Sequence, residues 1–294
     1  GDHRDLHSLR RRQRQMCIRD SYNIESYIFT LRLGSPHMYR KMTLILILVV
    51  FLSDSIFCST KSITFDLSEN LGIRQIRKWT FMVYLDGDND LESSALDDFT
   101  EMADVGSTSD VAIIVLIDRW DGRGQPGDDN SYGDWTDARI FYVDRSETPL
   151  PENADVVLGE KNMGKAETLV EFLNYSINNY PAEHYALILW DHGGAYRGIC
   201  YDFDNNNDGL EISELRLALA QIYNSTGVKI NLLGIDACLA GIIDIVYSCR
   251  DYVDIIVFSQ EYEEGEGWPY DCLLYTSDAA DDGESVDLGG RRII

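Results

Sequence analysis

The chain has 294 residues, with 25 Lys and Arg against 50 Asp and Glu and a net charge of −25. That length allows one sizeable α/β domain with a buried core, and so acidic a chain argues against nucleic acid or an anionic membrane surface as a partner. Of its 6 cysteines, three fall in terminal segments set aside below, and the odd three that remain are not a disulfide framework.

Both ends read as foreign to the protein. Residues 16–21 can be written ATG TGT ATA AGA GAC AG, whose reverse complement encodes Cys-Leu-Leu-Tyr-Thr, the peptide at 272–276. Residues 1–6 are related in the same way to 286–291. Inverted repeats of this kind are expected of adapter DNA from a sequencing library, so 1–21 and 272–294 are set aside as adapter-derived. Equal numbers of acidic and basic residues leave with them. Residues 22–37 read as upstream sequence translated in frame, and 38–60 as a signal peptide. Arg40 and Lys41 give the basic start, and 44–52 an apolar run too short to span a bilayer. Phe57 is too bulky for lipid attachment at Cys58, which favours cleavage near Ser59. The expectation is a secreted or cell-surface protein whose folded domain occupies 74–271, cut short at its C-terminal side. Cys200, Cys238 and Cys249 remain in the mature part, and an odd number leaves at least one free thiol.

Along the mature chain, apolar runs alternate with amphipathic segments. Residues 79–85 (WTFMVYL) and 111–117 (VAIIVLI) predict strands buried on both faces, with a helix over 91–105 between them. Residues 122–137, rich in Gly, Asp, Asn and Ser, predict a surface loop, and 139–143 a strand that forms a hairpin with 155–158. A helix over 165–178 presents Leu169, Phe172, Leu173 and Ile177 as one stripe. Then come a strand at 185–190 (YALILW), a helix at 213–223, a strand at 229–235 (KINLLGI), a helix at 239–249 and a strand at 254–258. Strands separated by helices predict an α/β fold: an open, mostly parallel sheet with helices on both faces.

In such sheets ligands bind outside the carboxyl ends of the strands. His192 follows one predicted strand and Cys238 another, so the two are neighbours if their strands are adjacent. A cysteine where a strand hands over to a helix is placed for thiolate stabilisation, and a nearby histidine can carry the proton. Gly193 and Gly194 allow close approach of a ligand to the backbone, so an N–H there can join that of Cys238 in an oxyanion hole. The plainer readings are a small buried core cysteine and a turn histidine. Asp191 neighbours His192 but points to the opposite face of an extended chain, so it is not assigned to that imidazole.

The segments WDHGG at 190–194, IDACLA at 235–240 and EGEGWPY at 264–270 resemble the His, Cys and downstream blocks of clostripain-like cysteine peptidases, and VYLDGDNDLE at 83–92 and GEKNMG at 159–164 are also similar to that family. The resemblance runs in order over nearly all of the mature fragment. It implies a caspase-like (hemoglobinase-like) fold and cleavage of peptide or protein substrates after Arg or Lys by a dyad of His192 (acid/base) and Cys238 (nucleophile), with no cofactor required for the chemistry. Asp236 would then form the base of the S1 pocket, its carboxylate pairing with the substrate cation. Glu266, between two glycines, is a second acidic candidate there, or else a solvated loop charge. Relatives are often matured by cleavage after a basic residue between the His and Cys blocks. Arg197, Arg216 and Lys229 lie in that interval, and only Arg197 is outside a predicted element.

Some relatives are calcium-dependent. Asp204, Asn206 and Asp208, followed by Gly209, match the start of a calcium loop, but Ile212 and Glu214 each fall one place off the EF-hand spacing. A turn capping the next helix, with Ser213 near its start, explains the composition equally well. Two other functional classes fit the sequence less well. A non-catalytic binding protein on the same scaffold is disfavoured by the retention of both His192 and Cys238. A nucleotide-binding protein is disfavoured because no Gly-rich phosphate loop follows the first strand.

Overall fold

In the computed structural model, which describes residues 76–271 apart from 264 and 266, the apolar runs line up as the middle of one sheet. β1 (Arg77–Gly87) and β2 (Val111–Arg119) run parallel, with Trp79 opposite Val111 and Asp86 opposite Asp118. All of β2 is buried, as a strand covered on both faces requires. The helix α1 (Glu92–Val105) makes the crossover between them. β3 (Ala138–Tyr142) returns antiparallel beside β2, and β4 (Val156–Gly159) pairs antiparallel with β3, completing the expected hairpin.

Next, α2 (Ala166–Asn179) carries the chain to the other side of β1, where β5 (Ala182–Trp190) pairs in parallel. A small ribbon of β6 (Ile199–Asp202) and β7 (Asp208–Leu210) follows, then α3 (Ile212–Thr226), β8 (Ile230–Asp236), α4 (Ile243–Cys249) and β9 (Val253–Phe258). The main sheet has seven strands in the order β4-β3-β2-β1-β5-β8-β9, and the five from β2 to β9 are parallel.

Alternation along the strands sends side chains to two separate cores. Met82, Tyr84, Leu187 and Leu189 meet Leu169, Phe172 and Leu173 of α2, Leu215 and Leu219 of α3, and Ile245 of α4. Val83, Leu85, Ile188 and Trp190 meet Leu96, Phe99 and Met102 of α1 on the opposite face. Helices therefore cover both faces. Among the described residues no helix is long and apolar enough to cross a membrane. The signal-peptide and adapter segments lie outside the described residues.

Three local features differ from the sequence expectation. The β6–β7 ribbon was not anticipated, because strands this short in a polar segment show no usable period. α3 starts at Ile212, one residue before the expected 213, behind a capping box of Glu211 and Glu214. The third difference bears on the site. The helix expected from 239 begins only at Ile243. Leu239 has a left-handed backbone (φ 57), and the amides of Leu239 and Gly241 donate to the carbonyls of Glu261 (3.0 Å) and Ser259 (2.6 Å). Those donors are committed to the segment after β9, so helical winding starts past them.

Candidate active site

Strand order changes direction at β1, whose two neighbours are β2 and β5, and this opens a crevice at the carboxyl ends of the strands. β5 and β8 are adjacent and parallel, with Trp190 opposite Asp236. His192 and Cys238 each lie two residues beyond that pair, so both sit on the same rim at the same height. The contact between the two turns is direct. A Cβ on Gly193 would stand 1.8 Å from the carbonyl oxygen of Cys238 and 3.0 Å from its nitrogen, which only glycine tolerates.

Of the three free cysteines among the described residues, Cys200 and Cys249 are buried and Cys238 is half-buried. Burial pushes the Cys249 thiol up to about 12 and Cys200 well above its ordinary value, which makes both poor nucleophiles. Cys238 has no helix terminus behind it, because α4 starts too late. Instead, its Sγ accepts a hydrogen bond from the backbone N–H of Glu263 at 3.3 Å. His192 is partly exposed, and its Nε2 lies 2.8 Å from Oδ1 of Asp90, on the loop after β1. Asp191 takes a different role: its carboxylate accepts from Asn89 Nδ2 at 2.7 Å and from the amide of Tyr201, pinning that loop and β6 together. Beside His192 and Leu239 a cleft of ≈ 650 Å³ opens, with Tyr196, Arg197, Tyr201 and Phe203 along it.

Asp236, two residues before Cys238, is 4% exposed. Its Oδ2 accepts from the Trp268 amide (3.0 Å) and the Tyr270 hydroxyl (2.9 Å). Burial first, and the adjoining Glu263 carboxyl second, push Asp236 up to about 7. Asp98 of α1, held by Trp190 Nε1 at 2.6 Å, is pushed up to about 9 by burial and then by the Asp236 charge. A Cβ on Gly267 would meet Asp98 Oδ2 at 3.0 Å and Asp236 Oδ2 at 3.2 Å, so the two carboxyl groups flank one small space. Glu266 lies outside the described residues; the neighbouring Glu263, bonded to Trp268 Nε1 at 3.2 Å, stands beside this group.

The residues considered for calcium are separately engaged. Asp208 pairs with Lys165 (2.7 Å) and accepts from Asn162 (2.9 Å), Asp204 accepts from the Asp121 amide (3.2 Å), and Asn206 sits at φ 63 in the turn between β6 and β7. Four other carboxylates, those of Asp88, Asp118, Glu160 and Asp202, converge nearby. Of the basic residues between the His and Cys turns, Arg197 is exposed in a single turn of 3-10 helix, Arg216 is on α3, and Lys229 is tied to Asp254 at 2.6 Å.

Residues 83–294 match the sequence profile of the clostripain family. The chain belongs to that family. It is similar to clostripain of Hathewaya histolytica, 28% identical over 241 residues, which cover 73% of this chain and 45% of the relative. The chain thus spans less than half the length of that protein. A secreted cysteine protease from Bacteroides thetaiotaomicron in complex with an irreversible peptide inhibitor shares the fold at a TM-score of 0.54 and 19% identity, over 67% of this chain and 53% of that one. A second secreted cysteine protease structure from the same organism gives 0.54 and 16%, over 68% and 58%. These likenesses agree with the caspase-like sheet described above.

Within this clostripain-family site, sequence reasoning missed Asp90, Asp98 and Glu263. Asp98 follows Asp97 on an amphipathic helix, where paired acids read as a solvated face. Asp90 lies in the similar segment VYLDGDNDLE, but nothing in its spacing ties it to a histidine 102 positions away.

Proposed function

We propose that this chain is the catalytic part of an exported cysteine endopeptidase that cleaves after Arg or Lys. The observation that carries the reading is the β5–β8 register, with Gly193 pressed against Cys238 and His192 beside it on one rim. In the proposed reaction, His192 takes the thiol proton and the Cys238 thiolate attacks the scissile carbonyl carbon. The oxyanion that forms accepts hydrogen bonds from the Gly193 and Cys238 amides. His192 returns the proton to the leaving amine, and the C–N bond breaks to give a thioester. Water, deprotonated by His192, attacks the thioester, releasing a peptide with a C-terminal basic residue and restoring the thiol. Asp236 binds the substrate guanidinium or ammonium, with Asp98 and Glu263 adding negative potential around it. Export is supported by the leader read at 38–60 and by the secreted state named for the two Bacteroides proteins.

An arginyl chloromethyl ketone tests the assignment. The expected product is a single adduct on Cys238, mapped by peptide mass spectrometry, with Cys200 and Cys249 unmodified. An adduct on either buried thiol, or none at all on folded protein, would remove the basis for the proposal.

Asp90 is proposed as a positioning residue for His192. Because both partners are partly exposed, the pair is worth at most about 1 kcal/mol. Asp90→Asn is therefore expected to lower kcat about fivefold with KM nearly unchanged, as read from steady-state kinetics on an arginyl amide.

A further inference from the structure

The proposed reaction leaves one cavity without a role: the cleft of ≈ 650 Å³ that opens beside His192 and Leu239. Its size falls within the range of about 300–1,000 Å³ common to ligand clefts. None of the residues along it belongs to the group around Asp236, which is built from Asp98, Glu263, Gly267, Trp268 and Tyr270. The two spaces therefore meet only at the rim that carries His192 and Cys238.

Its walls are fixed by the backbone. The turn after His192 is closed by the Gly194 amide on the Gly198 carbonyl (2.9 Å) and the Arg197 amide on the Gly194 carbonyl (3.1 Å), leaving the Tyr196 and Arg197 side chains exposed. Tyr201 of β6 lies across two glycines: a Cβ on Gly194 would stand 2.1 Å from its hydroxyl, and one on Gly209 2.8 Å from its ring. A side chain at either position would displace that ring. Phe203 faces the same cleft and is held edge-on by Trp120 at 5.6 Å. Arg197 supplies the charge. Its guanidinium lies 5.8 Å from the Tyr196 ring centroid, and no ion pair among the described residues includes it. Glu211, on an adjoining groove, is engaged by Ser213 Oγ (3.2 Å) and by the capping box of α3. Among the described residues no carboxylate lines the cleft. In a chain of net charge −25, an aromatic floor beside a guanidinium with no carboxylate partner is a selective surface.

We infer that this cleft binds the residues just after the scissile bond and selects a large apolar side chain followed by an acidic one. The direction rests on the peptidase reading. There His192 returns the proton to the leaving amine, so the segment that carries this amine runs out past His192, away from Asp236. Its first side chains then lie between Leu239, next to Cys238, and the rings of Tyr201 and Phe203. An apolar side chain is removed from water there, and a carboxylate meets the planar fork of Arg197. The surface of so acidic a chain repels an acidic segment elsewhere, so Arg197 decides whether one is accepted. The substrate class is peptides with a basic residue before the bond and an apolar–acidic pair after it.

The test separates binding from hydrolysis. Fluorescence anisotropy follows three C-terminally labelled peptides, Phe-Glu-Ala, Phe-Gln-Ala and Ala-Glu-Ala, none of which offers a basic residue for cleavage. They are titrated with the full wild-type chain, checked by mass to be intact across Arg197. Phe-Glu-Ala is expected to bind about fivefold tighter than Phe-Gln-Ala and at least about tenfold tighter than Ala-Glu-Ala. Arg197→Gln, a change at an exposed position, is expected to erase the first preference and keep the second. Arg216→Gln, which removes the same charge from the exposed side of α3, is expected to keep both. Wild-type kcat/KM should follow the same order when each tripeptide is placed after Arg in a quenched substrate. The inference is overturned by equal affinity for the three peptides, by a Glu preference that survives Arg197→Gln or vanishes in Arg216→Gln, or by kcat/KM indifferent to the leaving side. Binding in the expected order with no arginyl peptide hydrolysed would instead overturn the peptidase reading and uphold the ligand chemistry of the cleft.

Discussion

Cys238→Ala is expected to lower kcat/KM on an arginyl amide by at least about 10⁴-fold while leaving thermal unfolding nearly unchanged. The proposed reaction passes through a bond to this sulfur, and among the described residues no other thiol can stand in, since Cys200 and Cys249 are buried. The fold should survive because the side chain is only half-buried and its sulfur accepts one long hydrogen bond, from the Glu263 amide at 3.3 Å. Loss of that bond costs at most about 1 kcal/mol. The comparison pairs progress curves with a melting curve for each protein. A variant that hydrolyses the substrate within tenfold of the wild type would end the nucleophile assignment.

The second large effect is expected at Asp236. Asp236→Asn preserves an oxygen acceptor for the Trp268 amide and the Tyr270 hydroxyl but removes the charge that would meet a basic substrate side chain. A buried charge-assisted pair broken from one side costs about 3 kcal/mol, so kcat/KM for Arg and Lys substrates is expected to fall about 10²-fold. Substrates with a neutral residue at the cleavage position should change far less. The wild type carries a matching pH signature. Asp236 is pushed up to about 7, so below that pH it is mostly a neutral carboxyl and cannot pair with a cation. Raising the pH through about 7 ionises it, and kcat/KM for arginyl substrates is expected to rise over that interval. This slope should be missing in Asp236→Asn. Equal discrimination between arginyl and neutral substrates in both proteins would rule out Asp236 as the selectivity determinant.

Much of this architecture was legible in the chain because burial leaves a plain signal. The unbroken apolar run of β2 could only be a strand covered on both faces, and the stripe of Leu169, Phe172, Leu173 and Ile177 fixed the inward side of α2. His192 and Cys238 were singled out because each follows a strand of an open parallel sheet, but their proposed roles came from the resemblance of WDHGG and IDACLA to the clostripain-like blocks. What stayed hidden depends on contacts between distant segments. Residues 239–249 carry a helical pattern, yet the first of them pair with Ser259 and Glu261, and no local propensity records that competition. Asp88 and Asp118 are single acids at strand ends 30 positions apart, and only the register of β1 with β2 brings them together.

The segment from Ser259 to Tyr270 touches the Cys238 turn repeatedly: at Leu239 and Gly241 through its carbonyls, at the Cys238 sulfur through Glu263, and at Asp236 through Trp268 and Tyr270. On the proposed reading, reactivity and choosiness are therefore mechanically one object. Grafting a foreign stretch here to retarget the protein would also re-aim its warhead, so appetite cannot be retuned from this side without retuning bite.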